Sequence, residues 1–498
     1  MGAFFSALLV LMQPLNLIAI LVCTTIGIIL GAIPGLTGSM GMTIILPLTF
    51  GLDTNLSFAM LIGMWIGGTS GGFISATLLG IPGAPSSVAT CFDAYPMCKR
   101  GEAYRALLIG IFASFIGTAG SVLIAAAITP FIASWAVKLG PWEYFSLCFC
   151  AVTMVSSLVK GNLFKGFMGA GIGLLLSTVG LSPLDGAYRF TFGSANMTGG
   201  IEMLAMMLGF YAIKQILEDY ASGQQSLAPA DDVKGRGIGI VFRDMKENIG
   251  TLIQSFLIGL WIGFLPGMGS GLSNLVAYAR CKSSAKDGEK FGKGHPGGIF
   301  ASETSNNASI GGAVIPMIAL GIPGDTVTAL LLSGLTIHGL QAGPLFMRNN
   351  PGLAYLIFAG IFMAALLTLV IQLFGTRLFP KILSLPANYL YSVIIVMCFI
   401  GAFISRNTIF NIFLMLGLVV LGVLLDWCEI PLSPLLLAYI LGPQLESYFR
   451  KGISYTPDGI LTFFTRPVSC LFLIIAVLSV VIPVVREYIG KPMMKAED

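Results

Sequence analysis

The decapeptide Ile26-Gly-Ile-Ile-Leu-Gly-Ala-Ile-Pro-Gly35 returns as Ile258-Gly-Leu-Trp-Ile-Gly-Phe-Leu-Pro-Gly267, with the isoleucine, both spaced glycines and the terminal Pro-Gly in register. Pro266 follows Pro34 by 232 positions. A second pair, Leu79-Gly-Ile-Pro-Gly83 and Leu320-Gly-Ile-Pro-Gly324, stands 241 apart. A third matches Gly110-Ile-Phe112 with Gly360-Ile-Phe362, following Tyr104 and Tyr355. Three matches in one order, at slowly drifting offsets, are what duplication followed by small insertions leaves.

Both copies sit in uncharged surroundings. No Asp, Glu, Lys or Arg occurs from Met1 to Leu52, from Thr54 to Phe92, or from Asn248 to Ala279. Each run exceeds the ~20 residues that one crossing of a bilayer needs. The chain is 56% hydrophobic and only 10% charged, against the roughly 25% charged of a soluble domain. Further uncharged runs at 106–137, 144–159, 166–184, 304–324, 326–347, 349–376, 382–405, 407–425 and 467–485 predict an all-α polytopic membrane protein of roughly 10–12 transmembrane helices.

The hydrophilic stretch from Glu218 to Asn248 divides the chain into near-equal halves. The expected organisation is a first transmembrane repeat over 1–217, a linker over 218–248 and a second repeat over 249–498. The apolar N-terminus lacks the basic n-region of a signal peptide and is read as mature structure. The nine cysteines are scattered without metal-ligand spacing and read as small hydrophobes. No basic run is long enough for nucleic acid, and a net charge of +4 suits a membrane protein with basic cytoplasmic loops.

The basic residues also give the repeats a direction. After its second Pro-Gly, the first half has Lys99, Arg100 and Arg105, where the second half has only Arg348. After the first Pro-Gly the bias reverses: none lies between Pro47 and Leu56, against Arg280, Lys282, Lys286, Lys290 and Lys293. Corresponding loops therefore face opposite sides, as in inverted repeats that alternate access around a midplane site.

Proline removes a backbone donor and glycine permits positive φ, so the four Pro-Gly pairs that end the repeated motifs should split membrane helices. Irregular backbone at membrane depth survives only where protein or a water-filled cavity satisfies it. Small polar residues follow each break: Thr37, Gly38 and Ser39; Ser86 and Ser87 after Pro82-Gly83; Gly269, Ser270 and Asn274; and Asp325 with Thr326 after Pro323-Gly324. Amides at helix starts favour an anion, and hydroxyls or released carbonyls can hold a hard cation. Kinking plus capping is the plainer alternative for any single break.

Asp325 lies between two long uncharged stretches, where a carboxylate costs about 2.5–3.5 kcal/mol. It suits either a coupling ion or a helix N-cap. Glu303, in Ser302-Glu-Thr-Ser-Asn-Asn-Ala-Ser309 with Asn306 and Asn307, lines a cavity or enters a helix from a solvated loop. Asp93 reads as an interfacial anchor, and His295 and His338 as interfacial or structural. No constellation names a hydrolase, and no structural metal or cofactor is expected.

At these residues the chain resembles the large permease subunit of the tripartite tricarboxylate transporters. The carriers are Ile33-Pro-Gly-Leu-Thr-Gly-Ser39, Leu79-Gly-Ile-Pro-Gly-Ala-Pro-Ser86, Asp93-Ala-Tyr-Pro-Met97 with Gly101-Glu102, Phe264-Leu-Pro-Gly-Met-Gly269 and Ala319-Leu-Gly-Ile-Pro-Gly-Asp325. The resemblance implies a multi-pass protein of the bacterial inner (cytoplasmic) membrane, a small four-helix membrane subunit, and a periplasmic solute-binding protein delivering a small carboxylate. It also implies uptake coupled to Na+ or H+. On this reading Thr37, Gly38, Ser39, Pro82, Gly83, Ser86, Ser87, Gly269, Ser270, Asn274, Pro323 and Gly324 bind substrate, and Asp325, Thr326, Glu303, Asn306 and Asn307 serve the ion. The alternatives are an intramembrane enzyme using Asp325 and Glu303, and a passive anion channel.

Overall fold

The computed structural model describes residues 2–34, 36–157, 163–182, 184–222, 238–285, 287–383, 387–404 and 406–489. Gly35 and the centre of the expected linker, 223–237, lie outside them. The first half runs α1 (Gly2–Leu11), α2 (Pro14–Ala32), α3 (Gly38–Ile45), α4 (Thr54–Leu78), α5 (Val88–Met97), α6 (Ala103–Ala136), α7 (Pro141–Ser157) and α8 (Leu163–Ser177). A short antiparallel ribbon pairs β1 (Gly180–Leu181) with β2 (Tyr188–Arg189). Then come α9 (Met203–Met207) and α10 (Lys214–Ser222), and past the undescribed stretch α11 (Ile238–Glu247). The linker assigned to 218–248 is thus helical at both ends.

The second half repeats the order of the first with α12 (Ile249–Phe264), α13 (Gly269–Ser284), α14 (Pro296–Leu320), α15 (Thr326–Ile337), α16 (Phe346–Asn349) and α17 (Pro351–Gly375). It continues through α18 (Phe379–Leu383), α19 (Ala387–Ile404), α20 (Ile409–Trp427), α21 (Leu432–Ser454), α22 (Leu461–Thr465) and α23 (Pro467–Ile489). Five described stretches are long and apolar enough to cross a membrane: Pro14–Ala32, Thr54–Leu78, Pro85–Ala136, Pro351–Gly375 and Ile409–Trp427. Others fall short because a break cuts them, as at Gly38–Thr49, Ile249–Phe264 and Thr326–Ile337.

The compact units do not follow the halves. One comprises Met1–Ala136 with Met203–Val420, the other Val137–Glu202 with Leu421–Asp498. In the larger unit α2 packs along α4 and α12 along α14. Glycine makes both seams possible. A Cβ on Gly27 or Gly31 would collide with the carbonyl oxygens of Met64 and Gly68, and one on Gly259 or Gly263 with those of Ser305 and Ser309. The colliding glycines are 232 positions apart and their partners 241, so the offsets of the sequence motifs recur in the packing. The third long helix of each half lies on the long helix of the other: α6 on α14 and α17 on α4.

The smaller unit packs α21 against α7 and α8, and α23 against α7. Gly173 lets α8 touch the Leu435 carbonyl. Phe145 sits among Phe149, Phe449 and Phe463 at ring separations of 5.0–5.9 Å, and the Trp142 indole donates to the Gly452 carbonyl at 3.0 Å.

Candidate functional site

Each described break is closed by backbone geometry that its residue types dictate. After α4 and α14, Gly80 (φ 71°) and Gly321 (φ 74°) take the left-handed turn that ends a helix. The second glycine of the same motif is needed for another reason. Gly83 and Gly324 do not have positive φ. A Cβ on Gly83 would strike the Gly31 carbonyl, and one on Gly324 would lie 2.6 Å from Ala313 Cβ and 2.8 Å from the Gly263 carbonyl. Conformational freedom was the expected reason for the Pro-Gly glycine; in this motif close backbone approach is the actual one.

These approaches draw the breaks together. Gly267 N–H donates to the Gly324 carbonyl at 2.7 Å, and a Cβ on Gly269 would lie 3.2 Å from Asp325 Cβ. Between the halves, Asn274 on α13 accepts from Ala89 N–H at 3.1 Å. Its amide nitrogen donates to Pro85 O, Ser270 O and Gly271 O. Asn274 is fully buried and already engaged at both ends, so it fastens one half's first break to the other half's second. On the opposite pairing, α3 lies against α15.

Thr37 caps α3 by accepting from Met40 N–H at 3.2 Å, and its hydroxyl lies 2.8 Å from that of Ser39. Gly38 is wedged against Gly68 and Thr69. Asp325 closes a capping box on α15: Oδ1 accepts from Thr328 N–H at 2.8 Å and Thr328 Oγ1 accepts from Asp325 N–H at 2.9 Å. Thr326 opens that helix. Pro323, Gly324, Gly83, Ser86 and Ser87 are buried, and Pro82, Ser270 and Gly269 half-buried. Ser87 Oγ is buried without a hydrogen-bond partner.

Glu303, Asn306 and Asn307 do not lie on a loop. They occupy the middle of α14 and are fully buried. Glu303 Oε1 lies 2.5 Å from Thr90 Oγ1 of α5, and Oε2 accepts from Ser114 Oγ of α6 at 3.3 Å and from the amides of Asn307 and Asn306 at 3.4 and 3.5 Å. Asn307 Oδ1 in turn accepts from Ser70 and Thr118 at 3.1 and 3.2 Å, while its amide donates to Ser114 Oγ at 3.0 Å. Thr90, Ser114, Thr118 and Ser70 had carried no signal in the sequence. Glu303 takes part in no ion pair among the described residues, and these residues hold no cluster of three or more metal-ligating side chains.

Asp93, expected as an interfacial anchor, is instead fully buried. Its Oδ1 accepts from the backbone N–H groups of Gly292, Gly294 and His295 at 2.7–2.9 Å, and Oδ2 from Tyr278 O–H at 2.8 Å. Arg100 adds donations to the Lys293 and Gly294 carbonyls at 2.6 Å. The basic loop of each half is thereby tied to that of the other. His295 caps α14 by accepting from Gly297 N–H. In that loop burial pushes the Asp287 carboxyl up, but the His295 ring at 3.0 Å and Lys290 outweigh it and hold it below its ordinary value.

Broken, apolar helices around a buried polar centre define a multi-pass membrane protein of the transporter class. Residues 17–437 match the model of the tripartite tricarboxylate transporter TctA family. The chain belongs to that family, a family of membrane transporter subunits and not of enzymes. It is 30% identical over 471 residues, 95% of this chain and 93% of the relative, to an uncharacterized 52.8 kDa protein in the TAR-I ttuC' 3' region of Agrobacterium vitis. A second uncharacterized protein, in the TAR-II ttuC' 3' region of the same organism, is 29% identical over 232 residues, covering 46% of this chain and 96% of the relative. No solved structure matches the chain.

Proposed function

We propose that this chain is the substrate-translocating subunit of a secondary, ion-coupled system that takes up di- or tricarboxylates of the citrate type across the bacterial inner membrane. A periplasmic binding protein delivers the substrate and a small four-helix subunit completes the membrane complex. The observation that carries the reading is the meeting of the breaks, with Asn274 bridging Pro85 and Ala89 and Gly267 bonded to Gly324, in a chain of this transporter family.

The helix start at Gly269, which no side chain caps, offers amide groups to a carboxylate, and the Thr37, Ser39, Ser86, Ser87 and Ser270 hydroxyls belong to the same breaks. The unpartnered Ser87 hydroxyl supports this placement. Inverted repeats give the site its two access routes. Their support is that the loop after the first half's second break meets the loop after the second half's first break, through Asp93 and Arg100.

The test is uptake of labelled citrate, shorter dicarboxylates and aromatic acids into vesicles holding the complete complex, with sodium and proton gradients varied separately. Accumulation of a di- or tricarboxylate that collapses when both gradients are dissipated is the expected result. Uptake that proceeds equally well without any gradient would exclude coupling and favour a passive channel.

A further inference from the structure

Glu303 is an acid buried in the middle of a helix with no ion-pair partner among the described residues, and its surroundings are built from hydroxyls and amides. Resting on the ion-coupled reading above, we propose that Glu303 is the residue that carries the coupling proton, with the Thr90 and Ser302 hydroxyls turning to suit both of its protonation states.

The hydrogen bonds around Oε1 can be satisfied in both protonation states without moving a heavy atom. Thr90 Oγ1 lies 2.5 Å from Glu303 Oε1 and 2.9 Å from Ser302 Oγ, and Ser302 Oγ lies 3.1 Å from the Gly298 carbonyl. Thr90 has one proton to give. With the carboxyl protonated, Glu303 donates to Thr90, Thr90 to Ser302, and Ser302 to Gly298 O. With it ionised, each hydroxyl turns: Thr90 donates to Glu303 and Ser302 to Thr90. The turn of the two hydroxyls carries no proton past the Gly298 carbonyl. The proton is taken from water on one side and returned to water on the other when the transport cycle opens the carboxyl to each side in turn, and no further reactant is needed.

The second oxygen argues for a proton over sodium. Oε2 is surrounded by donors, the Ser114 hydroxyl and the amides of Asn306 and Asn307, all at 3.3 Å or more. A hard cation needs a shell of oxygens, and amide nitrogens stand in its place. Those long contacts compensate a permanent buried charge poorly. Beside them, Asn306 Oδ1 is buried with no partner. Beside Ser114 the packing leaves a small gap, lined by Ser70, Ser114, Thr118 and Thr368 with four apolar side chains and too tight to hold a water.

Few other titratable groups face it. On α5 these are Cys91 and Asp93, the latter bonded into the 292–295 loop with Tyr278 of α13. Arg105 at the start of α6 is paired with Asp244 of α11. Arg348 lies on α16, and Asp325 caps α15. α4 and α12 contain no Asp, Glu, Lys, Arg or His. In the first half the positions 241 earlier are Ile62, Trp65 and Ile66, so only one copy of the repeat has this array.

The experiment compares wild type, E303Q and T90V in vesicles containing the whole complex, reading substrate accumulation under a pH gradient, substrate exchange at zero gradient, and proton movement with a trapped dye. E303Q should lose accumulation, its internal-to-external ratio falling to unity, and should lose substrate-linked proton movement, yet retain exchange. T90V, which keeps the carboxyl, should shift the pH of half-maximal uptake, a change that a merely structural role would not produce. E303Q that still accumulates substrate and moves protons like the wild type overturns the proposal and leaves the transport reading intact. So does a wild type driven by sodium alone. A wild type that takes up no carboxylate under any gradient overturns both.

Discussion

Gly31 and Gly263 occupy points where two helix backbones touch, and nothing larger fits. Alanine at either should force α2 from α4, or α12 from α14, at a cost of about 1–3 kcal/mol or more. Alanine at Gly171, which lies inside α8 with open space around it, should not lower stability and should add up to about 1 kcal/mol. Thermal unfolding in detergent distinguishes these outcomes, and equal effects at Gly31 and Gly171 would refute the packing account. Asp93→Ala leaves three loop amides without their acceptor and should cost about 1–3 kcal/mol, loosening the 292–295 loop to proteolysis. Asp325 separates capping from ion binding: Asp325→Asn preserves an N-cap, whereas Asp325→Ala loses about 1 kcal/mol of helix stability. If capping is its task, Asp325→Asn retains wild-type uptake and only Asp325→Ala lowers the unfolding temperature.

Helices in this chain were legible where backbone geometry constrains residue type and illegible where side chains meet across the fold. Gly80 and Gly321 end their helices at equivalent positions because only glycine takes that turn cheaply, so a 241-residue offset in the sequence became one in space. The cap at Asp325 was equally local and equally readable. Thr90 was not. Thr77 and Thr129 are also hydroxyls in apolar helices, and each donates to its own i−4 carbonyl. What distinguishes Thr90 is that α5 crosses α14 at Glu303, a contact between residues 213 positions apart. Glu303 itself was marked by composition, but whether Ser302–Ser309 was loop or helix depended on α6 and α12 packing around it. The polar content of α14, which lowers its hydropathy, belongs to a helix enclosed by neighbours and shielded from lipid.

Taken as a whole, the molecule interleaves its halves: both compact units draw on the two, and the larger crosses α6 onto α14 and α17 onto α4. The hydrophilic stretch at Glu218–Asn248 marks a division in the sequence that the compact units do not follow, because they depend on contacts far apart in the chain. Inversion makes a topological prediction. In a cysteine-free background, Leu52→Cys should react with an impermeant thiol reagent from one side of the membrane, and Lys99→Cys and Lys290→Cys from the other. Labelling of all three from one side would mean parallel repeats. The transport reading stands or falls on accumulation of labelled citrate-type substrate in vesicles containing this chain, the small membrane subunit and the loaded binding protein. Internal substrate should rise above the external level under an imposed ion gradient and only when this chain is present; uptake that merely equilibrates, or that continues without the chain, would contradict it.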